Sequence, residues 1–277
     1  MRNKTALTLL TAGAAAALVA TTTPAFAAHE ELSAAGLTSG GKKITTFELI
    51  DGTAEKAVKL DGLMGDSRLV GIDYRVFGGD DSLYGVGDRG GIYEVDPVSG
   101  EVDRVAALTV ALEGTSFGVD FNPVANALRI ISNTGQNLRQ PFANIILDAP
   151  AAPTTVDGDL SIGATTANGV TGAAYTNNDA NPATGTELYD IDTERDQLVL
   201  QAPPNSGTLV ARGPLGASTS DVVGFDIYTE GTRNVSIAVL TVDGERGLYS
   251  INLMSGAATR IAGTNLTRGV SDIAITP

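Results

Sequence analysis

The residues best suited to chemistry in this sequence are four aspartates that recur in a short repeated motif. Three copies read Leu69-Val70-Gly71-Ile72-Asp73-Tyr74, Ser116-Phe117-Gly118-Val119-Asp120-Phe121 and Val222-Val223-Gly224-Phe225-Asp226-Ile227. A weaker copy at 270–275 carries Asp272, and another, Val170-Thr171-Gly172-Ala173-Ala174-Tyr175, has no acid. Converging carboxylates supply hard oxygen ligands, so Asp73, Asp120, Asp226 and Asp272 are candidate calcium ligands. The same groups could serve as an acid–base pair in glycoside hydrolysis, which needs two carboxyls in different environments. Repetition favours a structural role instead, in which each Asp accepts from a backbone turn or from the neighbouring repeat.

A second polar concentration lies at 129–139. Arg129 and Arg139 flank Asn133, Gln136 and Asn137, and two guanidiniums among amides on a hairpin suit bidentate recognition of a carboxylate or a sugar. The competing reading is a packed turn whose arginines pair with acids. The acid- and amide-rich stretches Asp190-Ile191-Asp192 with Asp196, and Asn177-Asn178-Asp179 with Asn181, lack the Gly turn and terminal Glu of an EF-hand loop. The alternation in Asp190-Ile191-Asp192 suits a strand with one polar face.

Composition narrows the chemistry further. The chain has 277 residues, no Cys and one His, His29, so thiol nucleophiles, disulfides and zinc–thiolate sites are excluded. His29 precedes the first strand-like segment, where a base would have no held geometry, so Ser-His-Asp and imidazole–metal catalysis are also set aside. No Trp is present, and Tyr84, Tyr93, Tyr249, Phe117 and Phe225 fall in repeated strand motifs, which reads as packing rather than a sugar-stacking groove.

The N-terminus has the charged, apolar and small-residue regions of a secretory leader, with cleavage expected near Ala27 and a single domain over 28–277. Loss of that leader removes Arg2 and Lys4 and takes the net charge from −14 to −16. Such a field repels nucleic acid and anionic membranes, so neither is an expected partner, and the expected product is a secreted, soluble monomer.

These residues are positioned by repeats. From Gly71 to Gly118, Gly172, Gly224 and Asp272 the spacings are 47, 54, 52 and 48 residues, a near-constant period of one supersecondary unit. Each unit contains further short β-rich runs bounded by Gly, Asp, Asn and Ser turns, as in residues 91–100 and their counterpart 247–256. Four strands per unit at this period indicate an all-β propeller. The last unit supplies only one strand, at 270–275, and the N-terminal segments 34–38, 42–49 and 55–60 supply three more. Together they complete a fifth blade and close the ring, which removes free sheet edges. Six blades is the alternative, with an irregular blade hidden in 140–169. Residues 148–159 and 176–185 are expected as surface loops.

Several further motifs stand in fixed order: Gly118-Val-Asp-Phe-Asn-Pro123, Arg129-Ile-Ile-Ser132, Thr134-Gly-Gln-Asn-Leu-Arg139, Gly172-Ala-Ala-Tyr-Thr-Asn177, Leu188-Tyr-Asp-Ile-Asp192, Gln201-Ala-Pro-Pro-Asn-Ser-Gly207 and Gly224-Phe-Asp-Ile227. Together they resemble the DUF4394 family, a secreted, propeller-like bacterial group. The resemblance implies fold and export and carries no activity; Gln140-Pro-Phe-Ala-Asn144 departs from the family's usual turn. The expectation is a non-catalytic binding module for an extracellular ligand or protein, without an obligate cofactor although calcium is open. A calcium-dependent hydrolase and a structural cell-surface protein are the alternatives.

Overall fold

The computed structural model describes residues 32–142, 152–231, 233–261 and 269–277, so the expected leader and His29 lie outside the described residues. In chain order, β1 (Ser33–Thr38), β2 (Lys43–Glu48) and β3 (Val58–Lys59) come first. They are followed by blade I, made of β4 (Leu69–Tyr74), β5 (Leu83–Gly87), β6 (Gly91–Val95) and β7 (Val102–Ala107). Blade II contains β8 (Phe117–Asn122), β9 (Ala127–Ser132), β10 (Asn137–Pro141) and β11 (Thr155–Val156). A small hairpin, β12 (Ser161–Ile162) with β13 (Thr165–Thr166), leads to blade III: β14 (Val170–Tyr175), β15 (Leu188–Asp192), β16 (Gln197–Gln201) and β17 (Leu209–Pro214). Blade IV is β18 (Gly224–Glu230), β19 (Arg233–Val242), β20 (Glu245–Ile251) and β21 (Ala258–Arg260). Finally β22 (Asp272–Ile275) pairs antiparallel with β1, from Ala34↔Ile275 to Leu37↔Asp272, and closes blade V.

The ring is therefore a five-bladed β-propeller, closed by one C-terminal and three N-terminal strands as the segment pattern predicts. Every sheet is an antiparallel meander. Period-2 alternation sends alternate side chains of a strand to opposite faces, and each face buries against the next blade. On β15, Tyr189 and Ile191 pack with Phe225 and Leu240 of blade IV, while Leu188 joins Ile131 of blade II. The five apolar clusters lie between blades in this way, and the aromatics Tyr84, Tyr93, Tyr249, Phe117 and Phe225 are all buried in them or beside them.

One loop expectation is corrected. Within 148–159, Thr155 and Val156 form the outer strand of blade II, in register with Arg139 and Leu138. Thr154 anchors this strand: its hydroxyl donates to Gln140 Oε1 at 2.6 Å and accepts the Thr109 N–H at 2.8 Å. Two residues of pairing suffice for an outer edge when the adjoining side chains fix it, and so short a strand leaves little periodic signal in the sequence.

Candidate metal centre

The inner strands β4, β8, β14, β18 and β22 surround the propeller axis, and the Gly-x-Asp motif sits on β4, β8 and β18. The motif glycine is needed for close approach. A Cβ at Gly71 would lie 2.4 Å from Val119 Cγ2, and one at Gly118 would lie 2.7 Å from the Ala173 backbone nitrogen. Two residues further along, the aspartates latch one blade to the next. Asp73 Oδ2 accepts the Phe121 N–H at 2.7 Å, Asp120 Oδ1 accepts the Tyr175 N–H at 3.0 Å, and Asp226 Oδ2 accepts the Ile275 N–H. The other oxygens of Asp73 and Asp226 accept the N–H groups of Tyr74 and Ile227.

This latch pattern corrects the register of the fourth acid. Asp73, Asp120 and Asp226 each bond the residue after a motif position, which in blades III and V is filled by Ala174 and Ala274. Asp272 bonds the Ile72 N–H instead, at 2.8 Å, one residue past Gly71. It therefore occupies the glycine position of its repeat, and Gly71 and Gly224 leave room for it: a Cβ would lie 3.2 Å from Asp272 Oδ2 at Gly71 and 2.7 Å from Asp272 Cα at Gly224. Asp73, Asp120 and Asp226 form the cluster, each offering an oxygen within 4.8 Å of the others. Asp272 lies one layer deeper, as a buried floor.

All three clustered acids are buried, yet they line the base of a small axial cavity of about 30 Å³. Its wall includes Tyr74, Pro123, Tyr175, Asn178, Tyr228 and Pro277, and no basic residue among the described residues. A cavity of this size holds an ion or a water or two. The electrostatics follow from the geometry. Burial pushes the Asp73 carboxyl well above its usual range, with repulsion from Asp226 adding to it and the Phe121 and Tyr74 amides opposing. Burial, then Asp73 and Asp226, do the same to Asp120. Burial raises Asp226 to about 6 against the pull of two backbone amides. Asp272 is also pushed well up by burial, opposed by the amides of Ile72 and Ile273. Two unit charges 4.8 Å apart repel by roughly 3 kcal/mol at an effective dielectric of 20. Three ionised carboxylates here therefore call for a proton or a cation.

The polar hairpin behaves differently. Arg129 and Asn137 are buried, at 1% and 0% exposure, rather than displayed. Arg129 pairs with Asp157 at 2.7 Å and also donates to Asn137, Asn205 and Tyr175. Arg139 binds the same Asp157 through Nε and Nη2. Asn133 caps the Thr115 N–H, and Gln136 ties down Ala111 and Glu113. The structure thus brings Arg129, Asn137 and Arg139 together around an internal acid. The stretch from Asn177, set aside in the sequence for want of an EF-hand pattern, supplies the mouth residues Asn177 and Asn178, because its turn becomes axial only through ring closure. In that turn Asn178 Oδ1 accepts the Thr229 N–H.

Residues 43–274 match the family described as Domain of unknown function (DUF4394). The chain belongs to the DUF4394 family. No curated protein matches the sequence. Among solved structures, a chain of a nidogen/laminin complex aligns with a TM-score of 0.50 at 10% identity, covering 89% of this chain and 98% of that one. An auxiliary nutrient binding protein from Bacteroides ovatus aligns at 0.46 and 12% identity, over 75% of this chain and 56% of its own. A protein of unknown function from Bacteroides thetaiotaomicron aligns at 0.47 and 12% identity, over 84% and 62%. For this DUF4394 member the likeness to the nidogen/laminin chain shows a shared propeller fold. Among the described residues, no helix is long and apolar enough to cross a membrane.

Proposed function

We propose that this protein is an exported binding module whose axial mouth holds a calcium-type divalent cation between Asp73, Asp120 and Asp226. The observation that carries this reading is the meeting of three buried carboxylates within 4.8 Å of one another, facing a cavity with no basic side chain among the described residues. An all-oxygen donor set suits a hard cation, and the backbone N–H bonds to the acids favour their anionic form. Calcium takes six to eight oxygens, so positions toward the mouth stay open to water or to an oxygen-bearing ligand. Export is supported by the leader-like N-terminus and the acidic balance.

Binding is favoured over hydrolysis by the sameness of the acids. Acid–base catalysis needs two carboxyls whose environments drive their proton affinities apart. Asp73, Asp120 and Asp226 share the same burial, the same latch to the next blade and the same direction of shift. The test is thermal unfolding of the mature protein in EDTA and in millimolar calcium. A ligand at a hundredfold excess over its dissociation constant adds about 2.7 kcal/mol. The expected result is a rise in Tm of several degrees that the Asp120→Asn variant loses; equal Tm values in the two buffers would remove the cation from the account.

A further inference from the structure

A second buried acid lies between blades II and III, away from the axial mouth and independent of any cation there. On β15, Asp190 shares the face of Leu188, which packs with Ile131 of β9. Arg129, two residues before Ile131 on β9, points into the same seam. On β16, Val199 is the direct partner of Asp190, and Gln201, two residues on, lies on the same face. Asp190, Gln201 and Arg129 are all buried, at 0%, 1% and 1% exposure.

The hydrogen-bond accounting of this seam does not close with an ionised Asp190. Arg129 donates to Tyr175, Asn137, Asp157 and Asn205. Gln201 Nε2 donates to the Pro204 carbonyl, which also takes an N–H from Asn137. Both oxygens of Asp190 and Oε1 of Gln201 are left without a donor. A carboxylate at full burial with neither oxygen hydrogen-bonded is among the most costly arrangements a protein can hold. A proton on Asp190 removes the charge and supplies a donor to a seam in which Gln201 Oε1 lacks one.

We infer that Asp190 is a proton-binding site, carried as the neutral acid in the folded protein at neutral pH, with its O–H serving the acceptor side of the seam that includes Gln201 Oε1. The charged and titratable groups facing the seam are Arg129 of β9, Arg139 of β10, Asp157 just past β11 and Tyr175 of β14. Asp192, the other acid on this face of β15, is held by Arg195 and Gln197. Burial drives the Asp190 carboxyl well up, and the charge of Arg129 opposes it. Arg129 attracts the anion through space, but its hydrogen bonds go to other partners. Deprotonation puts an uncompensated anion beside Arg129, whose partner Tyr175 also lines the axial mouth and donates its N–H to Asp120. The proton on Asp190 thus ties the stability of the seam between blades II and III to pH.

The sign of the effect follows from linkage. A folded-state affinity for protons above the unfolded one gives stability that is full below about pH 4 and lost as pH rises through the folded titration. The experiment follows the side-chain carboxyl ¹³C resonance of Asp190 in the mature wild-type protein from pH 4 to 8, assigned by through-bond correlation. In parallel, unfolding of wild type and Asp190→Asn is compared at pH 4 and pH 7. The expected result is a resonance that stays at the protonated position at pH 7, with the stability difference moving in favour of Asp190→Asn as pH rises. A resonance titrating near pH 4, or a difference that does not change with pH, overturns the proposal. The wild-type resonance decides the matter even if the variant does not fold.

Discussion

Replacing Arg129 with Met keeps most of the side chain's length and deletes its charge and donors. Arg129 is 1% exposed and supports Asn137, Asp157, Asn205 and Tyr175. Removing one member of a buried ion pair costs about 3–5 kcal/mol, because the remaining charge is left unpaired. Here Arg139 still reaches Asp157 through two nitrogens, which places the loss toward the lower end, at about 3–4 kcal/mol. For a domain of this size each kcal/mol moves Tm by about 2–4 °C, so Arg129→Met should unfold on the order of 10 °C earlier. Urea unfolding checks this, with a lower midpoint and an unchanged slope, since the surface exposed on unfolding stays the same. A loss below about 1 kcal/mol would refute the reasoning. It would mean that the guanidinium sits in solvent, as the ligand-recognition reading of 129–139 supposes.

Two further outcomes follow from the axial layers. Gly118→Ala places its Cβ 2.7 Å from the Ala173 nitrogen and 3.0 Å from the Gly172 carbonyl carbon, both backbone atoms. Overpacking of this kind should lower stability by about 1–3 kcal/mol in urea titrations. Without divalent ions, the raised Asp73, Asp120 and Asp226 make the folded state bind more protons than the unfolded one. Stability should then be full below about pH 4 and fall as pH rises through about 6, where Asp226 titrates; that group alone contributes roughly 2–3 kcal/mol. Calcium should flatten this fall by replacing the protons, and Tm measured against pH with and without EDTA will show it. Asp157, whose carboxyl is held down by Arg139 and Arg129 despite its burial, acts in the opposite sense at lower pH.

The propeller was legible because its determinants are periodic and local. The Gly-x-Asp inner strand, the hairpin turns at 96–100 and 252–256 and the leftover strand at 270–275 each carry a short-range signal. Closure then followed from the number of strands available at each end. What stayed hidden depends on contacts between blades. The last repeat reads Val270-Ser271-Asp272-Ile273-Ala274-Ile275, and only the bond from Ile72 to Asp272 shows that its acid stands at the glycine level. The fate of Arg129 was hidden for the same reason. Its main partner, Asp157, lies across an insertion, and Asn205 comes from the next blade. The alternation of Asp190 and Asp192 correctly gave a strand with a polar face, but nothing local tells that this face is shut inside the ring.

The most direct test of the axial site is terbium luminescence excited through tyrosine. The protein has no Trp, and Tyr74, Tyr175 and Tyr228 line the cavity above the three acids, so an ion bound there lies beside its sensitisers. Saturable terbium emission that calcium competes away, and that Asp73→Asn or Asp120→Asn abolishes, is the predicted result. Emission that never saturates, or that survives both substitutions, would contradict a cation held between Asp73, Asp120 and Asp226.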